Sequence, residues 1–289
     1  MKQTIRLALV QMATAEKKEA NYDRACQYVA QAAEGGADLV ILPEMFCCPY
    51  VTRNFPVYAE EEGGAGYQIL SRAAKENHVY LVGGSVPERD AAGKVYNTSY
   101  VFDREGNGIG KHRKMHLFDI DVKGGQRFKE SETLTAGNSV TVFDTEFGKI
   151  GLNICYDFRF PELARLMALQ GARMIVCPAA FNMTTGPAHW DLMFRSRAVD
   201  NQIYTVGVAP ARDEKGPYVS YAHSIVVSPW GEVLVRLDET EQMILTDLPL
   251  ERVGAVREQL PLLKQRRTDC YRLEPLSGAA DGPETENKG

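Results

Sequence analysis

Several kinds of functional site are missing from this 289-residue sequence. No Cys-x-x-Cys pair and no His-Glu-x-x-His occurs, and the five histidines (His78, His112, His116, His189, His223) form no Cys/His cluster at zinc spacing. That argues against a structural or catalytic metal. No apolar run is long enough to span a bilayer, and the stretch following Lys2 and Arg6 is broken too soon for a signal peptide. It reads as a first strand. The net charge of -5 is spread along the chain without a basic block, so a nucleic-acid footprint is not expected. With no export signal, the six cysteines (Cys26, Cys47, Cys48, Cys155, Cys177, Cys270) are expected in a reducing cytoplasm, where disulfide frameworks are rare.

What is present has the balance of an ordinary globular protein, 44% apolar and 25% charged. Strand-like and helix-like runs alternate. "IRLALVQM" (5–12) precedes a helix from about Asn21 to Ala33 that ends at Gly35-Gly36, and "ADLVILP" (37–43) follows. A second helix near 66–76 leads to "HVYLVGG" (78–84), and the runs 96–103 and 108–112 flank the turn "DREGNG" as a hairpin. Runs apolar on both faces, such as "LVIL" and "MIVC", suit strands buried between layers. The pattern predicts an α/β fold with helices covering sheets. One domain is expected over 1–276. The polar tail 277–289 is expected to be disordered. The mixed apolar and basic segment before it suits docking on a surface such as a partner subunit's.

The second half repeats phrases of the first in the same order. "RLALVQM" (6–12) parallels "KIGLNIC" (149–155), and "ADLVILPEMF" (37–46) parallels "ARMIVCPAAF" (172–181). "NHVYLVGGS" (77–85) parallels "NQIYTVGVA" (201–209), and "YNTSYVFDREGNGIGK" (96–111) parallels "YAHSIVVSPWGEVLVR" (221–236). Two similar halves packed face to face are expected. They differ at reactive positions, for Glu44 aligns with Ala179 and Cys155 aligns with Met12. Both reactive groups fall at the C-terminal ends of strands, where open α/β sheets place ligands.

Cys155 ends the run Ile150, Leu152, Ile154 and precedes a helix that Pro161 opens, with Glu162 beside it, and Gly171 stops. A free cysteine is usually core filler. At a strand-to-helix turn, however, the side chain is lifted out of the sheet and the N–H groups after it can face developing negative charge. A thiol used as a nucleophile needs a base or a cation, because the thiolate is the attacking species. Glu44, after an apolar strand and Pro43, either caps a loop or serves as a desolvated base. Lys114, in "GKHRKMHLFD" beside His112, Arg113 and His116, either belongs to a surface charge run or stabilises thiolate and oxyanion.

"ILPEMF" with Glu44, "KHRKMHLF" with Lys114 and "NICYDFRFPEL" with Cys155 resemble, in order and spacing, the three signature segments of the nitrilase superfamily of carbon–nitrogen hydrolases. The resemblance runs over about residues 4–274. It implies a four-layer αββα sandwich with an internal pseudo-two-fold duplication, a Glu-Lys-Cys triad, no cofactor, and association into homo-oligomers. It further implies Glu44 as general base, Lys114 and the backbone N–H of Tyr156 as oxyanion donors, and Glu130 in "RFKESETL" as the carboxylate that orients the lysine and substrate. The expected cycle passes through a thioester.

Within the superfamily, "FNMTTGPAHWDLMFRSRAVDNQIY" (181–204), "SPW" (228–230) and "KMHLFDIDV" (114–122) look most like the ω-amidase branch, which hydrolyses the terminal amides of 2-oxoglutaramate and 2-oxosuccinamate. Pro161 leans toward the deaminated glutathione amidases, but the longer loop match outweighs it. A small carboxylate-bearing amide is the expected substrate. Arg159 either forks onto such a carboxylate or forms a structural salt bridge. Asn182, Thr184 and Thr185 offer neutral donors, His116 and the backbone of Tyr156 are further substrate-binding candidates, and Phe46 and Tyr50 either narrow the pocket or pack. Nitrile or N-carbamoyl hydrolysis is an alternative within the superfamily. A non-catalytic scaffold would be expected to lack a triad member, and a redox role would need a resolving partner for Cys155; adjacent Cys47 and Cys48 are strained for pairing.

Overall fold

The computed structural model describes residues 2–124 and 126–276; the expected disordered tail lies outside the described residues. The first half holds strands β1 (Thr4–Gln11), β2 (Leu39–Ile41), β3 (Tyr80–Val82), β4 (Val86–Arg89), β5 (Val95–Phe102) and β6 (Gly108–Arg113). Its helices are α1 (Lys18–Glu34), the short α2 (Phe55–Tyr58) and α3 (Ala65–Asn77). A small hairpin, β7 (Asp119–Asp121) and β8 (Arg127–Lys129), leads to the second half. There β9 (Thr141–Thr145) and β10 (Gly148–Leu152) precede α4 (Pro161–Leu169), β11 (Met174–Pro178), α5 (Gly186–Asn201), β12 (Tyr204–Val208), β13 (Ile225–Val227) and β14 (Val233–Arg236). The chain then returns through β15 (Gln242–Pro249) and α6 (Glu251–Gln259).

The internal repeat is a repeat of topology. One sheet runs β15-β1-β2-β3-β5-β4 with β6 on β5, and the other runs β14-β13-β12-β11-β10-β9. The blocks β1-β2-β3-β5 and β10-β11-β12-β13 correspond, each with three parallel strands and then an antiparallel fourth. The match extends to backbone angles. His78 after α3 (φ 53°) and Gln202 after α5 (φ 52°) both end their helices in the left-handed conformation, and they occupy aligned positions in the two phrases.

Alternation sorts the side chains into layers. From β1, Leu7 and Leu9 face the opposite sheet, where Leu152, Val176 and Val206 meet them. Ala8 and Val10 face the other way onto Tyr22, Ala25 and Val29 of α1. In the second half, Ile175 and Cys177 meet Met167 of α4 and Phe194 of α5. A Cβ at Gly207 would lie 2.3 Å from Phe194 Cζ, so the missing side chain lets α5 press onto β12. Helix, sheet, sheet, helix is the expected αββα order. α6, at the start of that mixed segment, lies against its own chain, where Arg257 Nη2 donates to the carbonyls of Ala172 and Asn201, each at 3.3 Å. Among the described residues, no helix is long and apolar enough to cross a membrane.

Candidate active site

Cys155 follows β10 in a five-residue 3-10 turn, Cys155–Arg159, with φ 46°, a left-handed value uncommon for a residue carrying a Cβ. Strain of this kind at a strand-to-helix corner is what aims a side chain off the sheet end. Glu44 follows β2, and its neighbour Met45 is also left-handed (φ 50°), pinned by its N–H donating to Ser85 Oγ at 3.0 Å. Lys114 comes one residue after β6. Its backbone N–H donates to Asn97 O at 2.8 Å, which extends the pairing with β5 and turns the side chain inward.

These residues converge below the surface. Lys114 Nζ donates to Glu44 Oε1 at 3.0 Å and to Glu130 Oε1 at 2.9 Å, with all three side chains fully buried. Glu44 Oε1 also accepts from Asn97 Nδ2 at 2.9 Å, and its Oε2 accepts from the N–H of Ala180 at 2.8 Å. Glu130 Oε2 accepts from the N–H of Phe118 at 2.7 Å. The Cys155 thiol and the Glu44 carboxyl stand close enough to shift each other's protonation. An ammonium has three N–H donors, so Lys114 retains one beyond its two carboxylate contacts.

Electrostatics follow from this burial. Burial pushes the Glu44 carboxyl up; Lys114 opposes that shift and Glu130 adds to it. Burial also pushes the Cys155 thiol well up, reinforced by Glu44 and opposed by Lys114 and the Ala180 N–H. For Lys114 burial acts downward, but Glu130 and Glu44 outweigh it and hold the group well above an ordinary lysine. The arrangement is therefore a neutral thiol beside a carboxylate of enhanced basicity and a locked ammonium. Such a set can move a proton from sulfur to Glu44 while holding developing negative charge on Lys114.

A cavity of about 60 Å³ opens onto Glu44, bordered by Cys48, Tyr50, Ala180, Asp213 and Tyr218. Aromatic rings close the site. Tyr50 lies 4.6 Å from Tyr218 and 5.7 Å from Phe128 of β8, and Tyr156 meets Phe118 edge-on at 5.1 Å. Tyr50 is more than a wall. Its hydroxyl lies 2.6 Å from Glu130 Oε1 and 3.0 Å from Glu44 Oε1.

Arg159 forms no ion pair among the described residues, so the salt-bridge alternative is not what holds it. Its Nη1 donates to His189 Nδ1 at 2.9 Å, and its guanidinium stands 4.5 Å over the Phe181 ring. Burial lowers its pKa, while the nearby Cys155 acts in the opposite direction.

The structure gives the other candidates the following surroundings. Phe46 is fully buried and meets Tyr22 edge-on at 5.2 Å, so it packs between sheet and helices rather than narrowing the pocket. Asn182 and Thr185 spend their polar groups locally. Asn182 Oδ1 accepts from Thr185 N and Oγ1, both at 2.9 Å, where α5 begins, and Asn182 Nδ2 donates to Gln126 in the β7–β8 loop, while Thr184 is exposed. His116 stacks on Phe160 at 3.7 Å and its Nδ1 donates to Asp157.

Asn97, Ala180, Tyr218 and Asp157 escaped the sequence reading. Asn97 had a usable signal. In the internal repeat it aligns with Ala222, the same asymmetry that singles out Glu44 and Cys155. The Ala180 contribution is a backbone N–H, which no side-chain pattern reveals. All six cysteines are free, and among the described residues no group of three or more His, Cys, Asp or Glu is arranged to hold a metal.

Comparison with known proteins places this geometry in context. The family model described as carbon–nitrogen hydrolase matches residues 6–258. The chain is 51% identical over 271 residues to omega-amidase NIT2 of Mus musculus, covering 94% of this chain and 98% of the relative. Among solved structures, Saccharomyces cerevisiae Nit3, a member of branch 10 of the nitrilase superfamily, superposes with a TM-score of 0.85 at 43% identity, covering 92% of this chain and 98% of that one. A glutamate variant of the amidase from Nesterenkonia sp. AN1, which shows covalent addition of the acetamide moiety of fluoroacetamide at the active site cysteine, superposes with a TM-score of 0.77 at 26% identity, covering 92% and 95%.

Proposed function

This chain belongs to the carbon–nitrogen hydrolase family of the nitrilase superfamily, and from that premise we propose that it is an ω-amidase whose nucleophile is Cys155. It hydrolyses the terminal amide of small dicarboxylic acid monoamides, 2-oxoglutaramate and 2-oxosuccinamate, to the acid and ammonia. The observation that carries the chemistry is the Lys114 ammonium, buried between Glu44 and Glu130 beside the thiol. The near-full-length similarity to an omega-amidase supports the substrate class.

In this reading Glu44 takes the thiol proton as sulfur attacks the amide carbon. The oxyanion is held by the remaining N–H of Lys114 and the backbone N–H of Tyr156. When the tetrahedral adduct collapses, Glu44 returns the proton to nitrogen and ammonia leaves. Water, deprotonated by Glu44, then attacks the thioester, and the acid departs as the thiol is restored. Glu130 and Tyr50 keep Lys114 and Glu44 in register. Arg159, half-buried and without an acid partner among the described residues, receives the substrate carboxylate.

The same reading has the enzyme working in the cytoplasm as a homo-oligomer. Exposed Leu192 and Val199 on α5, with Trp230 beside β14, support the assembly, and sedimentation velocity tests it. The activity is tested by ammonia release from 2-oxoglutaramate, glutamine and deaminated glutathione in parallel, with intact mass of the enzyme during turnover. The keto-acid amide should be fastest and an acyl adduct should map to Cys155. Glutamine turned over as fast as its keto analogue would defeat the ω-amidase assignment.

A further inference from the structure

Asp157, two residues past the thiol, is fully buried and takes no part in the cycle above. Five N–H groups converge on it. Its Oδ1 accepts from the backbone N–H of Met115 at 3.1 Å, the backbone N–H of His116 at 2.8 Å and the ring Nδ1 of His116 at 2.8 Å. Its Oδ2 accepts from His112 Nε2 at 2.9 Å and the backbone N–H of Ile154 at 3.2 Å. Four of these donors belong to residues 112–116, the segment that carries Lys114, and the fifth belongs to the turn that carries Cys155.

A carboxylate offers about four lone-pair sites, so this one has no capacity left for a substrate. Its donors are themselves fixed. The His116 ring stacks flat on Phe160 at 3.7 Å, and His112 Nδ1 lies 2.9 Å from Thr141 Oγ1. Burial opposes ionisation of Asp157, but the bonds from His112 and His116 outweigh it and hold the carboxyl well below its ordinary range. It is therefore an acceptor only, and each histidine nitrogen facing it carries hydrogen.

We propose that Asp157 is the positioning residue that clamps the Lys114 segment to the Cys155 turn, and so sets the placement of ammonium against sulfur on which acyl transfer depends. The proposal rests on Cys155 as nucleophile and Lys114 as its cation. The thiol sits on a turn of left-handed backbone (φ 46°), so its aim depends on what holds that turn.

The test is Asp157→Asn, which keeps the volume and removes the charge, read by steady-state kinetics and by the pH dependence of Cys155 alkylation with iodoacetamide. The charged groups facing Cys155 are Glu44, Lys114, Glu130 and Arg159, with the phenols of Tyr50 and Tyr218. A loosened Lys114 should lower kcat by about 100-fold with KM changed much less, and should move the alkylation profile to higher pH. Simple loss of a nearby negative charge would move that profile to lower pH. An unshifted or acid-shifted profile therefore overturns the proposal, even where kcat falls. Should Asp157→Asn not fold, His116→Phe keeps the stack on Phe160, removes one donor, and should shift the profile in the same alkaline direction by less; no shift there overturns the proposal equally. Turnover surviving in Cys155→Ala would instead defeat the underlying reading of the site.

Discussion

The backbone N–H of Ala180 donates to Glu44 Oε2 at 2.8 Å, joining the second half of the chain to the acid of the first. Ala180 is one residue past the position that aligns with Glu44 in the internal repeat. The two sheet ends thus meet at their corresponding corners, and the site is built on the pseudo-two-fold rather than beside it.

Replacing Glu44 by Gln preserves its shape and removes its capacity to accept a proton. Turnover should fall by about 100- to 10,000-fold, the range associated with a general base. Ammonia release gives the rate, and intact mass shows whether acyl enzyme accumulates. A Glu44→Gln enzyme within tenfold of wild type, roughly, would remove Glu44 from the proton-transfer role.

The pH profile follows from the same residue. Burial raises the Glu44 carboxyl, and a base works only when deprotonated. Activity should therefore be lost as pH falls through a value above the roughly 4.3 of a free glutamate. The acid limb of kcat/KM measures it. A limb lying below that value would contradict the desolvated setting.

Lys114→Met leaves Glu44 and Glu130 buried without their shared cation. Breaking a buried pair of this kind costs about 3–5 kcal/mol, so the melting temperature should drop sharply along with activity. Adding Glu130→Gln to Lys114→Met should recover part of the stability and none of the activity. Calorimetry of both variants separates the structural share from the catalytic one.

Arg159→Gln should raise KM for 2-oxoglutaramate by about 10- to 100-fold, the weight of a charge-assisted hydrogen bond, while an uncharged short-chain amide is little affected. Equal effects on both substrates would assign Arg159 to packing against Phe181.

Acid stability has a separate source in Glu88. Burial there opposes ionisation, but bonds from Arg113 (2.7 Å), Lys111 (2.8 Å) and Thr98 (2.6 Å) outweigh it and hold the carboxyl below its ordinary range. A lowered folded-state value contributes stability that is present above the unfolded value and lost as pH falls through the folded one. The melting-temperature gap between wild type and Glu88→Gln should be wide at neutral pH and close as pH drops below about 4. A gap independent of pH would place the effect elsewhere.

The alternation of strands and helices in the first half, the repeat and the three candidate residues were legible along the chain, while β4, the β7–β8 hairpin, β15 and α6 were not. Each rests on local periodicity, on punctuation by Gly and Pro, or on a polar group standing at the end of an apolar strand. The sequence left the outcome open where a side chain had two neighbours to choose from. Phe46 sits two residues past Glu44, yet it goes to Tyr22 on the helix side of the sheet. Asn182 and Thr185 bear pocket-type donors, yet turn formation at the start of α5 consumes them.

By itself the sequence determined the layered α/β architecture and singled out Glu44, Lys114 and Cys155 as candidates, because periodicity and residue chemistry are properties of the chain. Only the tertiary structure decided that Lys114 stands between two carboxylates, that Tyr50 touches both, and that Asp157 gathers five donors. Those relationships join residues up to 80 positions apart and depend on hydrogen-bond angles and burial, quantities that exist only once the two sheets have closed on each other.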